Sequence, residues 1–426
     1  MGALRRRMAA VVTLLAVMAV VAPRAAADEL SAARAQWKPD VFPISFWCGP
    51  PPEFVNLEQY QRIKDAHFTH IMPSCTGGGS PEHNRTILDI AQKTGLKVFI
   101  HDSRMPVGVP DEQSKQRVRI ISNTYKDHPA MAGYHVVDEP GAGLFPALGQ
   151  TAAALREADP EHPAYINLFP NYAPLSALGT PSYEEHVRRF IETVKPSIVS
   201  YDHYHFLNGP DRSGFFNNLE IVRRLSLQHN LHFWQIVLLI DHHGAYRRPS
   251  EAEKRWLAMH TLAFGGKGLM WFTYWRPWDD PQWGEAMINT DGTPTAQYEE
   301  TKRINKDVQT LGKYLLHATS TQAFEYGQPG DHSNIIGGDM VRFDGPHITV
   351  GIFQHDATRY VMLVNRDYQH AAKGHAYILA GGAQLEMLNK VEDTWQPATA
   401  TPFEGGYVTL QYNLAAGDGE LYRLSP

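Results

Sequence analysis

The sequence predicts an α/β chain, in which a (β/α)8 TIM barrel is followed by a small all-β domain, an antiparallel sandwich. From about residue 43, eight short runs of β-branched and aromatic residues alternate with long amphipathic segments, as in a parallel sheet covered by helices. After about residue 318 the helical periodicity ends, and apolar runs alternate with Gly, Asp and Asn turns. A doubly wound open sheet is the alternative, but no glycine-rich phosphate loop follows the first run, which favours the barrel.

Eight segments are predicted as the barrel strands. In chain order they are residues 43–49, 69–74, 97–102, 132–138, 164–169, 198–205, 232–240 and 268–275. Glycines that end helices stand just before two of them, Gly95 before the third strand and Gly265 with Gly266 before the eighth.

The segments between these strands have helical spacing, as in NLEQYQRIKDAH, YEEHVRRFIETVKP and EAEKRWLAMHTLAFGG. The segment TAQYEETKRINKDVQTLGKYLLHA supplies the eighth helix, so the barrel is predicted over residues 28–318. The β domain is predicted over residues 319–426 from runs such as HITVGIF, RYVMLVN and YVTLQYN. No linker rich in Pro, Gly or Ser separates the two parts, so we expect them to pack directly together.

Residues 1–27 are predicted to be a cleaved signal peptide. Arginines at positions 5–7 form a positive region, residues 8–22 form an apolar region, and the alanines at 25–27 offer a cleavage site before Asp28. The apolar run is shorter than the roughly 20 residues of a membrane span, which disfavours the alternative of an uncleaved anchor. No second apolar run follows, so we expect a secreted protein without a membrane span in the mature chain.

Composition restricts the class of protein and of partner. Hydrophobic residues make up 43% of the 426 residues and charged residues 20%, as in a globular enzyme with a large core. The net charge of −6 offers no basic surface, so nucleic acid is excluded as an expected partner. The only cysteines, Cys48 and Cys75, follow neighbouring predicted strands. They form either one bridge near the barrel mouth or two free buried thiols.

Polar and aromatic side chains gather at the carboxyl ends of the predicted strands, where such barrels build their active sites. Aromatic faces stack on the C–H surfaces of sugars, and carboxylates and amides bind hydroxyls, so this rim suits a neutral, hydroxyl-rich substrate. The predicted substrate-binding residues are Trp47, Asp102, Asp138, Asn167, Tyr201, His203, Tyr204, Tyr274 and Trp275. Among them Trp47, Tyr274 and Trp275 are predicted stacking platforms, whereas Trp234, Trp256 and Trp271 are predicted to lie in the core.

Glu139 is the predicted catalytic acid. Cleavage of a glycosidic bond needs a protonated acid at the leaving oxygen and a second carboxylate as base or nucleophile. Glu139 is the only glutamate directly at a predicted strand end, and the apolar strand before it could raise its pKa. The alternative is structural, because Asp-Glu-Pro is also typical of a helix start with an acidic cap and a first-turn proline.

The strand motifs GYHVVDEP, YINLFPNY and GLMWFTYW, with the following AMINTDGTPT, resemble those of bacterial barrel glycosidases. The chain is similar to the clan that contains β-galactosidases and many β-specific glycanases, and its final AGDGELYRL resembles their appended β module. In that clan the fourth strand ends in Asn-Glu, where the amide binds the sugar 2-hydroxyl and the glutamate is the acid/base. Glu139 matches the glutamate, and Asp138 stands where the asparagine would be.

The resemblance leaves the second carboxylate open. The clan's nucleophile is a glutamate at the end of strand seven, and FWQIVLLIDHH contains none. Asp202, within a polar and aromatic cluster on strand six, is the favoured candidate, and Asp241 after strand seven is the next. Asp138 and the strand-eight loop are further alternatives.

No metal or other cofactor is predicted. His203 and His205 form an H-x-H, but barrel metallohydrolases usually carry that motif on the first strand, which has no histidine here. The expected function is therefore hydrolysis of O-glycosidic bonds in an extracellular oligo- or polysaccharide. A barrel that binds glycans without cleaving them is one alternative, and a metal-dependent hydrolase is the other.

Overall fold

The computed structural model describes residues 39–326, 341–345 and 347–425, and the predicted signal peptide lies outside them. The barrel strands are β1 (Ile44–Phe46), β2 (His70–Ile71), β3 (Lys97–Ile100), β4 (Met131–Asp138), β5 (Ala164–Leu168), β6 (Ile198–His203), β7 (His232–Leu238) and β8 (Leu269–Phe272). All are parallel, in the order β1-β8-β7-β6-β5-β4-β3-β2. This nearly closed sheet confirms the predicted barrel.

The barrel closes between β1 and β2 through few bonds. The Thr69 N–H donates to the Ile44 carbonyl oxygen (3.0 Å), and the Ile44 N–H donates to Thr69 Oγ1 (2.8 Å). Where these two strands end, Cys48 and Cys75 form a disulfide with their Cα atoms 4.8 Å apart. Of the two alternatives for the cysteines, the bridge is therefore the one observed. It links the segments that follow β1 and β2 at the mouth of the barrel.

Aromatic side chains fill the inside of the barrel. Phe99, Tyr165 and Trp234 are at most 1% exposed, and the ring centroids of Phe99 and Trp234 lie 5.6 Å apart. Glycines on two strands make room for them. A Cβ on Gly133 would lie 2.5 Å from Phe99, and one on Gly268 would lie 2.5 Å from Trp234. The barrel is thus a packed core rather than a pore, and only its rim is open to a substrate.

Helices cover the barrel, and their ends follow local sequence signals. The side chain of Ser250 accepts the Glu253 N–H while Glu253 accepts the Ser250 N–H, a capping box at the start of one helix. Gly95, at φ 68°, ends another as predicted. No helix in the described part of the chain is long and apolar enough to cross a membrane. The helices are α1 (Leu57–Asp65), α2 (Pro81–Thr94), α3 (Glu112–Tyr125), α4 (Phe145–Ala158), α5 (Leu175–Leu178), α6 (Tyr183–Val194), α7 (Phe215–Gln228), α8 (Glu251–Ala263) and α9 (Ala296–Leu315).

Two antiparallel sheets follow the barrel and confirm the predicted all-β domain. Their strands are β9 (Thr319–Tyr326), β10 (Val341–Asp344), β11 (Ile348–His355), β12 (Thr358–Asn365), β13 (Ala372–Leu379), β14 (Gln384–Asn389), β15 (Thr394–Pro397), β16 (Ala400–Pro402), β17 (Tyr407–Leu414) and β18 (Gly419–Ser425). One sheet has the order β10-β13-β17-β16 and the other β15-β14-β18-β12-β11-β9. Side chains of both sheets, such as Ile378 and Val350, share one apolar core.

The β domain packs directly against α8, as the missing linker predicts. Two glycines allow this approach, because a Cβ on Gly351 would lie 2.2 Å from the Ala263 carbonyl oxygen. A Cβ on Gly417 would lie 2.3 Å from the carbonyl oxygen of Ala252. Phe353 of β11 belongs to the same apolar core as the outer face of the barrel. The two parts of the chain are therefore joined by continuous packing.

Candidate active site

Glu139 lies just after β4, in a conformation that a residue with a Cβ rarely adopts. Its φ is 44°, in the left-handed region, which costs roughly 1–2 kcal/mol. Its N–H donates to the Asn167 carbonyl oxygen (2.9 Å), which fixes the turn. The helix α4 does not begin until Phe145, so the alternative interpretation of Asp-Glu-Pro as a helix start is wrong. Backbone strain of this kind is concentrated at functional sites.

Asn167 at the end of β5 connects two carboxylates. Its Nδ2 donates to Asp138 Oδ1 and to Asp202 Oδ1, both at 3.1 Å. Its Oδ1 accepts the Ser200 hydroxyl at 3.1 Å, which fixes the orientation of the amide. Asp202 also shares a hydrogen bond with Glu139. The ends of β4, β5 and β6 thus bring three predicted site carboxylates and one amide into a single network.

Burial is the largest cause of the raised pKa values of the three carboxyls. Burial, together with the negative charge of Asp138, raises the pKa of Glu139 to about 7. Burial and the charges of Glu139 and Asp138 raise the pKa of Asp202 well above its usual range. Burial also raises the pKa of Asp138, although the hydrogen bond from Asn167 opposes this effect. In the described part of the chain, no lysine or arginine forms an ion pair with any of them.

The positions of the side chains assign the proton in this network. Two carboxyls that share a hydrogen bond need one proton between them, and Asp202, only 4% exposed, is the group for which a charge is costlier. Asp202 therefore keeps its proton and donates to Glu139, and Glu139 takes up a second, transferable proton with a pKa of about 7. Asp138, by contrast, has part of its surface in contact with solvent at the rim, although burial of its carboxyl raises its pKa. The cluster combines a glutamic acid that titrates near neutral pH with an exposed aspartate.

Asp241, the other predicted partner of Glu139, lies apart from this network. Its carboxylate packs against Gly284 of the loop after β8, where a Cβ would lie 1.9 Å from Oδ1. The Gly284 N–H donates to the Asp241 carbonyl oxygen (2.9 Å). Asp241 is also not among the charges that raise the pKa values of Glu139 and Asp202. Its contacts are those of a residue that anchors a loop.

Asp102, predicted to bind hydroxyls, is engaged by protein groups instead. Arg104 donates to both carboxylate oxygens, from Nε at 2.9 Å and from a terminal nitrogen at 2.7 Å, and the Tyr125 hydroxyl donates at 2.6 Å. Burial raises the pKa of Asp102, but these hydrogen bonds outweigh it and lower the pKa below its usual value. Since Asp102 is 2% exposed, the predicted substrate contact is corrected to a structural role.

Tyr201 and His203 on β6 are also predicted to contact substrate, and both are fully buried. The Nδ1 of His203 is hydrogen-bonded to Asn218 (3.0 Å), and its ring packs edge-on against Tyr172 and Phe215. Side chains alternate between the two faces of a strand, so the neighbours of Asp202 on β6 point into the layer between sheet and helices. Neither side chain reaches the open rim.

The aromatic predictions are partly corrected. Tyr274 is 0% and Trp275 is 2% exposed, so neither offers an open ring face. Tyr274 stacks on Phe46, with a centroid distance of 4.5 Å, and Trp275 lies 4.7 Å from Phe54, because the chain after β8 folds back over the end of β1. The predicted core tryptophans, Trp234, Trp256 and Trp271, are at most 3% exposed, which confirms them.

Trp47, the third predicted platform, is partly exposed. It lines a cavity of about 220 Å³ together with His101, His135 and the half-cystine Cys75. The rings of Trp47 and His135 meet edge to face at 5.3 Å. Larger cavities, of about 390 and 510 Å³, lie around Lys267 and Lys97, at the opposite, N-terminal ends of the strands.

Tyr204 is partly buried beside the three acidic groups, and burial, with a smaller contribution from these neighbours, raises its pKa. Two residues that sequence reasoning missed fix its position. The Tyr204 N–H donates to the Tyr172 hydroxyl (3.3 Å), and Arg212 Nε donates to the Tyr204 carbonyl oxygen (3.0 Å). The Arg212 guanidinium lies 3.7 Å above the centre of the Tyr172 ring. Tyr172, the last residue of YINLFPNY, lies beyond the end of β5. Its position in the sequence does not reveal that the chain brings it back beside Tyr204.

His203 and His205, the H-x-H motif, and the other histidines near the rim do not form a set of metal ligands in the described part of the chain. Within the described residues, no group of three His, Cys, Asp or Glu side chains is placed to hold a metal ion. His205 stacks on Trp256 at 4.9 Å, and His242 stacks on Trp283 at 5.0 Å. These histidines pack as aromatic rings.

Neither a protein-family model nor a curated protein sequence matches this chain. Solved structures of the same architecture do. A glycoside hydrolase family 5 structure from Bacteroides vulgatus is 12% identical, with a TM-score of 0.57 over 91% of this chain and 89% of that chain. A family 27 β-L-arabinopyranosidase from Geobacillus stearothermophilus is 11% identical, with a TM-score of 0.52 over 93% and 98%.

A β-galactosidase from the psychrophilic Marinomonas ef1 is 11% identical, with a TM-score of 0.49 over 65% of this chain. This chain spans 62% of that enzyme's length. At such identities the likeness to family 5 and family 27 enzymes shows a shared fold, a barrel followed by a β domain. The solved structures therefore agree with the fold that the motif resemblance implies.

Proposed function

We propose that the protein is a secreted glycoside hydrolase that cleaves O-glycosidic bonds of an extracellular oligo- or polysaccharide, with Glu139 as the general acid. The observation that carries this proposal is the cluster of carboxyls at the ends of β4 and β6, where Asn167 donates to Asp138 and Asp202 and where burial and Asp138 raise the pKa of Glu139 to about 7. A carboxylic acid that stays partly protonated at neutral pH is what a leaving glycosidic oxygen requires. The fold shared with two glycoside hydrolase families supports the same conclusion.

The three carboxylates divide the work. Glu139 gives its proton to the leaving oxygen, which also takes the bonding electron pair of the C–O bond. Asp138, exposed at the rim, faces the positive charge that develops at the anomeric carbon. Water then delivers its hydroxyl group to that carbon and its proton back to the carboxylate network. Asp202, favoured from sequence as the second carboxylate, is buried, so we assign it to holding and orienting Glu139.

Secretion is supported by the predicted signal peptide and by the Cys48–Cys75 disulfide, which suits an oxidising compartment. The test of the function is a screen of the purified protein on aryl glycosides and soluble polysaccharides, with Glu139→Gln as the matched control. Hydrolysis that is lost in the variant and survives a chelator supports the proposal. Silence of the wild type across the panel would overturn it.

Glycan binding without hydrolysis is the second candidate. It is favoured by one observation, that Asp241, the carboxylate at the end of β7, is packed against Gly284 rather than placed beside Glu139. Calorimetry that detects sugar binding by a protein with no turnover would establish it.

A further inference from the structure

A row of rings runs along the rim beside the carboxylates, on the loops after β6, β7 and β8. Neighbouring centroids are 5.6 Å apart for Tyr204 and Tyr246, 4.3 Å for Tyr246 and His242, 5.0 Å for His242 and Trp283, and 5.1 Å for Trp283 and Trp278. We call these five residues the aromatic ladder. None of the three residues given a role in catalysis above, Glu139, Asp138 and Asp202, belongs to it.

The two ends of the ladder have different surroundings. At the inner end, Tyr204 is close enough to Asp202, Asp138 and Glu139 for their charges to affect its pKa. At the outer end, Trp278 is 46% exposed. The ladder is therefore continuous with the carboxylate network and leads from it to solvent.

Trp278 is more exposed than any other tryptophan that the structure describes. Trp234, Trp256, Trp271 and Trp275 are all at most 3% exposed. An indole that is nearly half exposed forgoes the burial of apolar area that these four tryptophans gain, which is common at binding surfaces. Its neighbour in sequence, Asp279, is exposed as well and adds a hydrogen-bond acceptor next to the ring.

Backbone bonds fix the ladder before any ligand arrives. The Trp283 N–H donates to the Asp280 carbonyl oxygen, and the His243 N–H donates to that of Gln282 (2.9 and 2.8 Å). The loops after β7 and β8 are thereby tied to each other. Asp241 packing against Gly284 belongs to the same junction. A rigid aromatic surface loses little conformational entropy on binding.

His242 acts in the ladder as a neutral ring. It lies between Tyr246 and Trp283, with interplanar angles of 22° and 13°. Burial and the neighbouring His243 lower the pKa of His242 to about 4, so it carries no charge at neutral pH. The ladder therefore offers a neutral surface, which fits a sugar rather than an ionic ligand.

We propose that the aromatic ladder binds sugar residues beyond the cleaved bond, with Trp278 as the stacking platform, so that the substrate is a glycan longer than a disaccharide. This deepens the proposed function, because the ladder is a subsite of the same rim. Its occupant is a neutral glycan chain, since the ladder is uncharged, aromatic and continuous with the carboxylates.

The first experiment measures the dependence on chain length. It compares kcat/KM on an aryl monoglycoside that the wild type hydrolyses with kcat/KM on oligosaccharides of two to six of the same sugars. We expect kcat/KM to rise with length. The ratio of the longest to the shortest substrate should fall about tenfold in Trp278→Ala, the effect of losing one stacked aromatic contact. Trp278→Phe should restore part of it.

The control is Phe403→Ala. Phe403, in the β domain, is 45% exposed and packs against Tyr377 (4.9 Å), so it matches Trp278 in exposure but lies outside the ladder. This variant should keep the wild-type ratio. A ratio that is the same in Trp278→Ala and the wild type, in a protein that folds normally by circular dichroism, would overturn the proposal.

The second experiment measures binding without turnover. Glu139→Gln and the double variant Glu139→Gln/Trp278→Ala are run in native gels that contain xylan, galactomannan or mixed-linkage β-glucan. Retardation of the first protein but not of the second supports the ladder, even if no hydrolysis is ever found and the proposed function fails. If the wild type hydrolyses the aryl monoglycoside, but kcat/KM does not rise with chain length and the polysaccharide gels do not retard Glu139→Gln, the proposed function stands and binding by the ladder is rejected.

Discussion

Asp102 and Glu139 follow neighbouring strands of the same barrel rim, yet their carboxyls are in opposite electrostatic states. Asp102, after β3, accepts hydrogen bonds from Arg104 and Tyr125, and its pKa is lowered. Glu139, after β4, has another carboxylic acid, Asp202, as its partner, and its pKa is raised to about 7. Burial raises the pKa of both groups, but Arg104 and Tyr125 outweigh it at Asp102, whereas at Glu139 the charge of Asp138 adds to it and the hydrogen bond with Asp202 offsets it only in part.

This difference shows that a place at a strand end does not by itself make a carboxylate catalytic. A buried charge that is paired with a guanidinium is satisfied and has no proton to give. A carboxyl beside other carboxyls stays partly protonated and can act as an acid. The two positions can therefore be separated by experiment, and the predictions below do so in order of expected effect.

Glu139→Gln should have the largest effect. Glutamine keeps the size of the side chain and a hydrogen bond to Asp202 but has no transferable proton. General acid catalysis contributes about 10² to 10⁴ in rate, so glycan turnover should fall by at least about a hundredfold. The loss should shrink for aryl substrates with good leaving groups. Steady-state kinetics on both kinds of substrate measures it, and a wild-type rate on the natural glycan would remove Glu139 from the site.

Asp202→Ala should have the next largest effect. It deletes a hydrogen bond to an ionisable partner, worth about 1.5–3 kcal/mol, so turnover should fall about ten- to a hundredfold. Asp202→Asn retains a donor for Glu139 and should recover most of that loss. If the asparagine variant is instead as inactive as Glu139→Gln, Asp202 is itself a nucleophile or base, and the positioning role is wrong.

The next largest effect should appear in the dependence of kcat/KM on pH, which reports the protonation of Glu139. Glu139 must be protonated to donate, and its pKa is about 7, so kcat/KM should fall about tenfold for each pH unit above 7. An aryl substrate with a good leaving group should flatten this alkaline limb. A rate that stays constant between pH 6 and 9 on a glycan would contradict the assignment.

Asp102→Asn should have the smallest effect on turnover and act on stability instead. It removes charge-assisted hydrogen bonds to Arg104 and Tyr125, and the free energy of unfolding should fall by about 1–3 kcal/mol. Since the pKa of Asp102 is lowered in the fold, its contribution is present above its unfolded pKa of about 3.9 and is lost as pH falls through the folded value.

The melting temperatures of wild type and Asp102→Asn should therefore differ at pH 7 and converge in acid. Near-wild-type turnover is expected throughout. A variant that melts normally but fails to hydrolyse glycan would place Asp102 at the substrate after all.

The alternation of apolar runs and helices was enough to predict the barrel, because the period of a buried strand is a local property of sequence. The strand-end rule also located Glu139 and Asn167, since β4 ends at the predicted residue and β5 ends one residue before the predicted end. The direction of a side chain at a strand end is not local. Tyr274 was misplaced because its burial depends on Phe46, more than two hundred residues earlier.

Pairing partners from distant elements were hidden for the same reason. Asp102 could be recognised as structural only once α3 brought Tyr125 within 2.6 Å of its carboxylate. The aromatic ladder depends on two loops that fold against each other, and neither Trp278 nor Trp283 has a periodic neighbour that reveals it. Loop geometry of this kind is determined by tertiary contacts rather than by a sequence period.

The glycine contacts at α8 have a practical consequence for anyone who produces this protein. A recombinant barrel that stopped at Ala318 would leave Trp256, whose indole N–H donates to the Arg366 carbonyl oxygen (3.0 Å), facing water. The apolar side chains around it would be uncovered with it, and such a surface promotes aggregation. The β domain covers the α8 face that Gly351 and Gly417 approach, so the protein should be produced with both parts of the chain.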